Sequence, residues 1–129
     1  MGRQVIAATW IARQGEAVLG VRPHYSDAFF LPGGVPDAGE TYAEAAAREV
    51  AEELGLRVDA GSLREVVRIE DQAYGRAAGD IVVLICFEGT SDGTPCPGEE
   101  IAEVAWLPPS QWHEFAPAVQ KALAELRSR

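Results

Sequence analysis

Apolar positions along this chain change rhythm several times, and each change marks an element. Residues 5–12 (VIAATWIA) and 17–21 (AVLGV) are β-rich runs separated by the turn-forming Arg13-Gln14-Gly15-Glu16. Residues 28–31 form a short apolar stretch ended by Pro32. The spacing then becomes helical. Thr41 followed by Glu44 is a capping box, and Gly55 suits the left-handed position just past a helix end, so a helix is predicted over residues 42–54. At about 100° per residue, Ala43, Ala46, Ala47, Val50 and Leu54 share one face, and Glu49, Glu52 and Glu53 the opposite one. Residues 63–70 predict a longer strand and residues 80–87 (DIVVLICF) a buried central one. Residues 88–98 are a loop dense in turn formers, and residues 101–107 alternate into another strand. Pro108-Pro109-Ser110 opens a short helix, and residues 116–126 form an amphipathic terminal one. Several strands with two longer helices predict one α/β domain over residues 1–129, a mixed β-sheet between helices, with no repeat or linker.

The polar face of the helix over residues 42–54 is not one that helix stability would select. Like charges three and four residues apart cost about 0.2–0.5 kcal/mol per pair. A helix standing only in water would set Lys or Arg four residues after a Glu, yet Glu49 is followed by Glu53. Clustered carboxylates are what Mg²⁺ or Mn²⁺ wants, and a bound cation reverses the repulsion.

The acidic cluster belongs to a longer pattern: Pro32-Gly33-Gly34, Glu40, Arg48-Glu49-Val50, Glu52-Glu53 and Gly55-Leu56. This resembles the signature of the Nudix hydrolase family at every specified position. Chance produces a match at seven such fixed identities on the order of once in 10⁸ starting points at average residue usage. The resemblance is strict over residues 34–56 and looser over most of the chain. It implies an α/β/α sandwich and metal-dependent hydrolysis of a phosphoanhydride in a nucleoside diphosphate linked to a moiety X.

The resemblance also distributes roles. Glu49, Glu52 and Glu53 match the acidic cluster that ligates divalent metal, Mg²⁺ or Mn²⁺, and one of them or a bound hydroxide activates water. Arg48, with Glu44 four residues back and Glu52 four ahead, is able to hold a carboxylate in bidentate geometry or simply to form surface pairs. Glu40, at the helix entrance, is accounted for by the helix dipole, which leaves a catalytic part for it open. The backbone at Gly33 and Gly34 is a contact for metal or phosphate. A further acidic group from a distant loop is usual in such relatives. Glu100 is the first candidate here, by its distance from Trp106-Leu107, with Glu99 and Glu103 as competitors. Arg22 stands where relatives often place a phosphate-contacting base, although a solvated strand end explains it equally. No Ser/His/Asp or Cys/His arrangement is legible, and His24 and His113 are isolated, so water is expected to attack directly.

The formal net charge of −9 disfavours nucleic-acid polymers and membrane surfaces, and it leaves cations to bring phosphates to the protein. Cys86 and Cys96 read as two incidental thiols of a cytoplasmic enzyme, with a disulfide left open. The start of the chain lacks the charged and apolar regions of a signal peptide, and no apolar run is long enough to span a membrane. The partner expected is a small nucleotide, and the apolar edge runs leave a homodimer open. X is less determined. Asp71 stands where a proline is associated with ADP-ribose, and Tyr74 where a tyrosine is associated with dinucleoside polyphosphates. The small size and compact loops resemble most the MutT-type subgroup, which converts nucleoside triphosphates, some of them oxidised, to monophosphate and pyrophosphate. Dinucleoside polyphosphate, nucleotide-sugar or ADP-ribose hydrolysis, and a catalytically silent nucleotide-binding domain, are the alternatives. Tyr25, Phe29, Phe30 and Tyr74 are candidates to stack on a base, although Phe29 departs from the tryptophan frequent there and Phe30 also suits a core. Trp10, Trp106 and Trp112 read as core anchors.

Overall fold

In the computed structural model, which describes residues 2–73 and 79–129, the chain runs β1 (Gln4–Trp10), β2 (Arg13–Gln14), β3 (Ala17–Pro23), β4 (Gly33–Gly34), α1 (Tyr42–Leu54), β5 (Arg57–Val58), β6 (Arg64–Gln72), β7 (Ile81–Glu88), β8 (Ser91–Asp92), β9 (Ile101–Leu107) and α2 (Pro117–Arg127). Short 3₁₀ turns occupy Ala60–Ser62 and Pro109–Glu114. The expected strands are all present, with ends shifted by one or two residues. Residues 28–31 contribute only isolated bridges, Val21 to Phe30 and Phe29 to Phe115. The loop over residues 88–98 contains the two-residue β8, which pairs with β5.

The mixed sheet has the order β4-β1-β7-β6, with β7 central as its apolar run requires. β1 and β7 are parallel, whereas β4 and β6 run antiparallel to their neighbours. A second, three-stranded antiparallel sheet, β2-β3-β9, stands apart from it. The two helices cover opposite faces of the mixed sheet, and the period-2 alternation of β7 shows how. Ile85 and Phe87 pack with Ala45 and Ala46 of α1, while Leu84 and Cys86 pack with Ala118, Val119, Ala122 and Leu123 of α2. This is the α/β/α arrangement predicted for the chain.

α1 begins and ends where its caps dictate. The Thr41 hydroxyl accepts from the Glu44 N–H at 3.1 Å, the Glu44 carboxylate accepts from the Thr41 N–H at 2.8 Å, and Gly55 takes the left-handed conformation. The buried residues are Ala45, Ala46, Val50 and Leu54, a wider arc than the face predicted. Glu53 falls about 20° from Ala46 on the helical wheel, so it lies inside that arc and not opposite it. Trp10 is an anchor as expected, buried with its indole N–H donating to the Gly89 carbonyl at 3.0 Å. Both cysteines are free, Cys86 buried and Cys96 exposed. Among the described residues no helix is long and apolar enough to cross a membrane.

Candidate active site

The segment before α1 brings backbone and carboxylates together by close approach. Gly33 has φ +152°, and a Cβ there would stand 2.2 Å from the Ala8 carbonyl oxygen, so β4 can lie against β1 only with glycine at this position. At Gly34 a Cβ would stand 2.6 Å from the carboxyl carbon of Glu49. The missing side chain of Gly34 is therefore the room that Glu49 occupies. Across the same junction the Gly33 N–H donates to Glu53 Oε1 at 3.4 Å.

Arg48 organises the outer part of the cluster. Its Nε donates to Glu40 Oε2 at 2.7 Å and its Nη2 to Glu40 Oε1 at 3.1 Å, a two-point grip on one carboxylate. Nη1 reaches Glu49 Oε1 at 2.9 Å and Glu52 Oε1 at 3.2 Å, and Nη2 also reaches the Val35 carbonyl. The partner behind Arg48 is thus Glu40 and not Glu44, whose carboxylate is engaged in the helix cap. Glu40 also accepts from the Asp37 N–H at 2.8 Å. The Arg48 guanidinium, and after it that N–H, hold the Glu40 carboxyl below the usual range. Arg48 is itself held more firmly protonated by Glu40 first and then Glu49.

Glu53 is in a different state. Burial, and after it the negative charge of Glu49, pushes its carboxyl up to about 8, with Glu100 contributing in the same direction. Glu100 is brought into range by the loop ahead of β9. The Cys96 and Gly98 N–H groups donate to the Leu54 and Glu53 carbonyls at 2.9 and 2.8 Å and dock that loop on the last turn of α1. Of its competitors, Glu103 pairs with Arg22 at 3.3 Å across β3 and β9, while Glu99 is exposed, as Glu100 is. Glu52 is exposed and joined to the rest through Arg48.

A cleft of about 890 Å³ opens beside these carboxylates. Gly33 and Glu53 line it, as do Phe30, Tyr25, Ser26 and Asp27 from the turn after β3, Val5, Ala7 and Thr9 from β1, Val82 and Leu84 from β7, and Ala116, Ala118 and Val119 at the start of α2. The two neighbouring phenylalanines exchange the places expected of them. Phe29 is only 4% exposed and packs with Phe115 against Gly20, so it belongs to the core and does not reach the cleft. Phe30, on the other side of the extended segment, forms part of the cleft wall. Arg22 does not line the cleft; its Nε pairs with Glu103, and its Nη1 donates to the Ser26 carbonyl at 3.2 Å. Tyr74 lies outside the described residues. The aliphatic wall contributed by β1, β7 and α2 was not foreseen. No sequence signal marks Val5, Ala7, Ala116 or Val119, because only the tertiary arrangement brings them to one surface.

The donor set suits a hard divalent cation: Glu49 and Glu100 add their charge to the burial that raises the Glu53 carboxyl, and a bound cation would offset all of these. Among the described residues no three such side chains converge as a finished cage. Glu49 and Glu52 are drawn toward Arg48, so a cation would compete with the guanidinium for them.

A family model described as the NUDIX domain matches residues 2–126. A MutT-like protein of Streptomyces ambofaciens is 32% identical over 110 residues, covering 85% of this chain and 67% of that one. The MutT protein of Methanosarcina mazei Go1 aligns with a TM-score of 0.79 at 18% identity, over 98% of this chain and 95% of that one. For the MutT NUDIX hydrolase of Burkholderia pseudomallei the TM-score is 0.76 at 18% identity, over 96% and 98%. At these identities the two structures speak for the fold alone. Fold and sequence together define the class: the chain belongs to the Nudix family. It is a Nudix pyrophosphohydrolase, and this family acts on small nucleotide substrates and generally uses divalent metal ions.

Proposed function

We propose that this enzyme hydrolyses nucleoside triphosphates, oxidised ones included, to monophosphate and pyrophosphate, using Mg²⁺ or Mn²⁺ held by Glu49, Glu52, Glu53, Glu100 and the backbone at Gly33. One observation carries the reading. The same cleft is lined by Glu53 and Gly33 and also by Phe30 and an aliphatic wall, a combination that supports a phosphate chain and a base sharing a single site of mononucleotide size. Bound divalent ions would neutralise phosphate charge and lower the pKa of the attacking water. The chain's own part is to fix the carboxylates through Arg48, to keep Glu53 out of bulk water, and to set the base against the Phe30 ring. Gly34, which makes room for Glu49, is assigned a substrate contact by the family pattern alone, whereas Phe29 is replaced in that role by Phe30.

Direct attack by water fits the groups available. The Thr9 hydroxyl donates to the Ile85 carbonyl, the Ser26 hydroxyl is engaged with Ala28, and burial pushes the Cys86 thiol up to about 11. None is poised as a nucleophile. The free thiols also suit a cytoplasmic setting. The test is product analysis with Mg²⁺ or Mn²⁺ on canonical and 8-oxo nucleoside triphosphates, a dinucleoside tetraphosphate and ADP-ribose, with Glu53→Gln as control. Monophosphate plus pyrophosphate is the expected result. Turnover of ADP-ribose or the dinucleoside alone would overturn the substrate assignment, and ¹⁸O from water trapped on the protein would overturn direct attack.

A further inference from the structure

Tyr25 is the most exposed large hydrophobic side chain among the described residues, at 88%, yet it stands at the cleft and not on an unrelated surface. The backbone that carries it is tightly held. The Ser26 N–H donates to the Pro23 carbonyl at 3.1 Å, and the Ser26 hydroxyl accepts from the Ala28 N–H at 3.0 Å. The Arg22 guanidinium then spans two elements, its Nη1 on the Ser26 carbonyl and its Nε on Glu103, the residue opposite it in the β3–β9 ladder. The pairing slips directly after that position, so that Pro23 faces Ile101, and the turn that follows this bulge lines the cleft through Tyr25, Ser26 and Asp27. Finally the His24 N–H donates to the Glu100 carbonyl at 3.3 Å, tying the turn to the loop that bears the distant carboxylate.

An exposed Arg–Glu pair adds little stability, and an aromatic ring left in water adds none. Together they form a rigid arm holding a flat apolar surface over a cleft. We propose that the turn over residues 23–28 is a preformed lip in which Tyr25 stacks on the nucleobase from the solvent side, and that Arg22 is a positioning residue which fixes this lip and does not contact phosphate. The inference rests on the nucleotide reading above and names how the base is selected. A ring closing over a base rewards its stacking area, so purines gain more than pyrimidines.

The experiment is a double-mutant cycle on the full chain: Tyr25→Ala, Arg22→Ala and both together, with Tyr25→Phe and Arg22→Lys as conservative variants. kcat and KM are measured for purine and pyrimidine nucleoside triphosphates, alongside Tm. Tyr25→Ala is expected to raise KM roughly tenfold for purines and less for pyrimidines, with kcat unchanged and Tyr25→Phe close to the parent. Arg22→Ala is expected to reproduce that base-dependent loss, and the double variant to lose no more than either single one. Arg22→Lys should fall between, because an ammonium cannot hold Ser26 and Glu103 in the same fork. Losses at Arg22 that ignore the base and add to those of Tyr25→Ala would make Arg22 a phosphate contact and overturn the positioning role. An unchanged KM in Tyr25→Ala, with the parent active on the same nucleotides, would overturn the lip. A parent enzyme inactive on every nucleotide would instead overturn the reading on which the lip rests.

Discussion

At Glu53 a carboxylate is folded into a place that disfavours its charge. Its folded-state proton affinity, near pH 8, lies above that of an unfolded glutamate near 4.5. Between these values the folded chain holds a proton that the unfolded chain has released. The contribution of Glu53 to stability is therefore complete below about pH 4.5 and is lost as pH rises toward 8. Glu40 acts in the opposite sense, since its lowered carboxyl contributes stability that is lost as pH falls. The difference between the parent and Glu53→Gln isolates the first effect. In EDTA the parent's Tm is expected to decline relative to the variant from pH 5 to 8, and saturating Mn²⁺ should abolish the decline by replacing the proton. A pH-independent difference would contradict this assignment. The same variant should lose about a hundredfold or more in turnover, since even losing an outer-shell partner of a metal costs 10–100-fold.

Local and distant determinants separate cleanly among the elements. The capping box and Gly55 are signals within a few residues of α1, so the bounds expected from the sequence coincide with Tyr42–Leu54. The acidic cluster and its arginine were legible for the same reason, being spaced along one helix. What was not legible depended on partners far along the chain. Whether Phe29 or Phe30 faces the cleft is decided by Gly20 and Phe115, and Glu53 is met by Gly33 from before the helix and by the loop at Gly98 from after it. Two substitutions should separate these layers. Thr41→Ala removes the cap and is expected to cost about 1 kcal/mol, roughly 3–5 °C in Tm, with turnover nearly intact. Gly34→Ala places a methyl group where Glu49 stands and should cut turnover at least tenfold with a smaller change in Tm. Parallel losses of stability and activity in both variants would argue against a separate role for Gly34.

For the whole molecule the net charge of −9 sets the terms on which a polyanionic nucleotide is admitted. In EDTA, raising NaCl from low to physiological concentration is expected to strengthen nucleotide binding modestly by screening repulsion, and with divalent cation present the trend should flatten or reverse. Calorimetric titration reads both. Weaker binding on adding salt without metal would point to a local cationic site that outweighs the overall charge. The parallel pairing of β1 with β7 has a kinetic consequence. It joins Gln4 to Ile81 and Trp10 to Phe87, so a long loop must close before the mixed sheet exists. α1 is able to form early from its own caps, whereas Gly33, which meets Glu53, is held in place by β4 pairing with β1. Cation binding should then come after the slow step. In stopped-flow denaturant jumps, saturating Mn²⁺ is expected to slow unfolding and leave the refolding rate unchanged. Faster refolding would mean that the cation templates the sheet; the expected outcome makes it a lock on a finished fold.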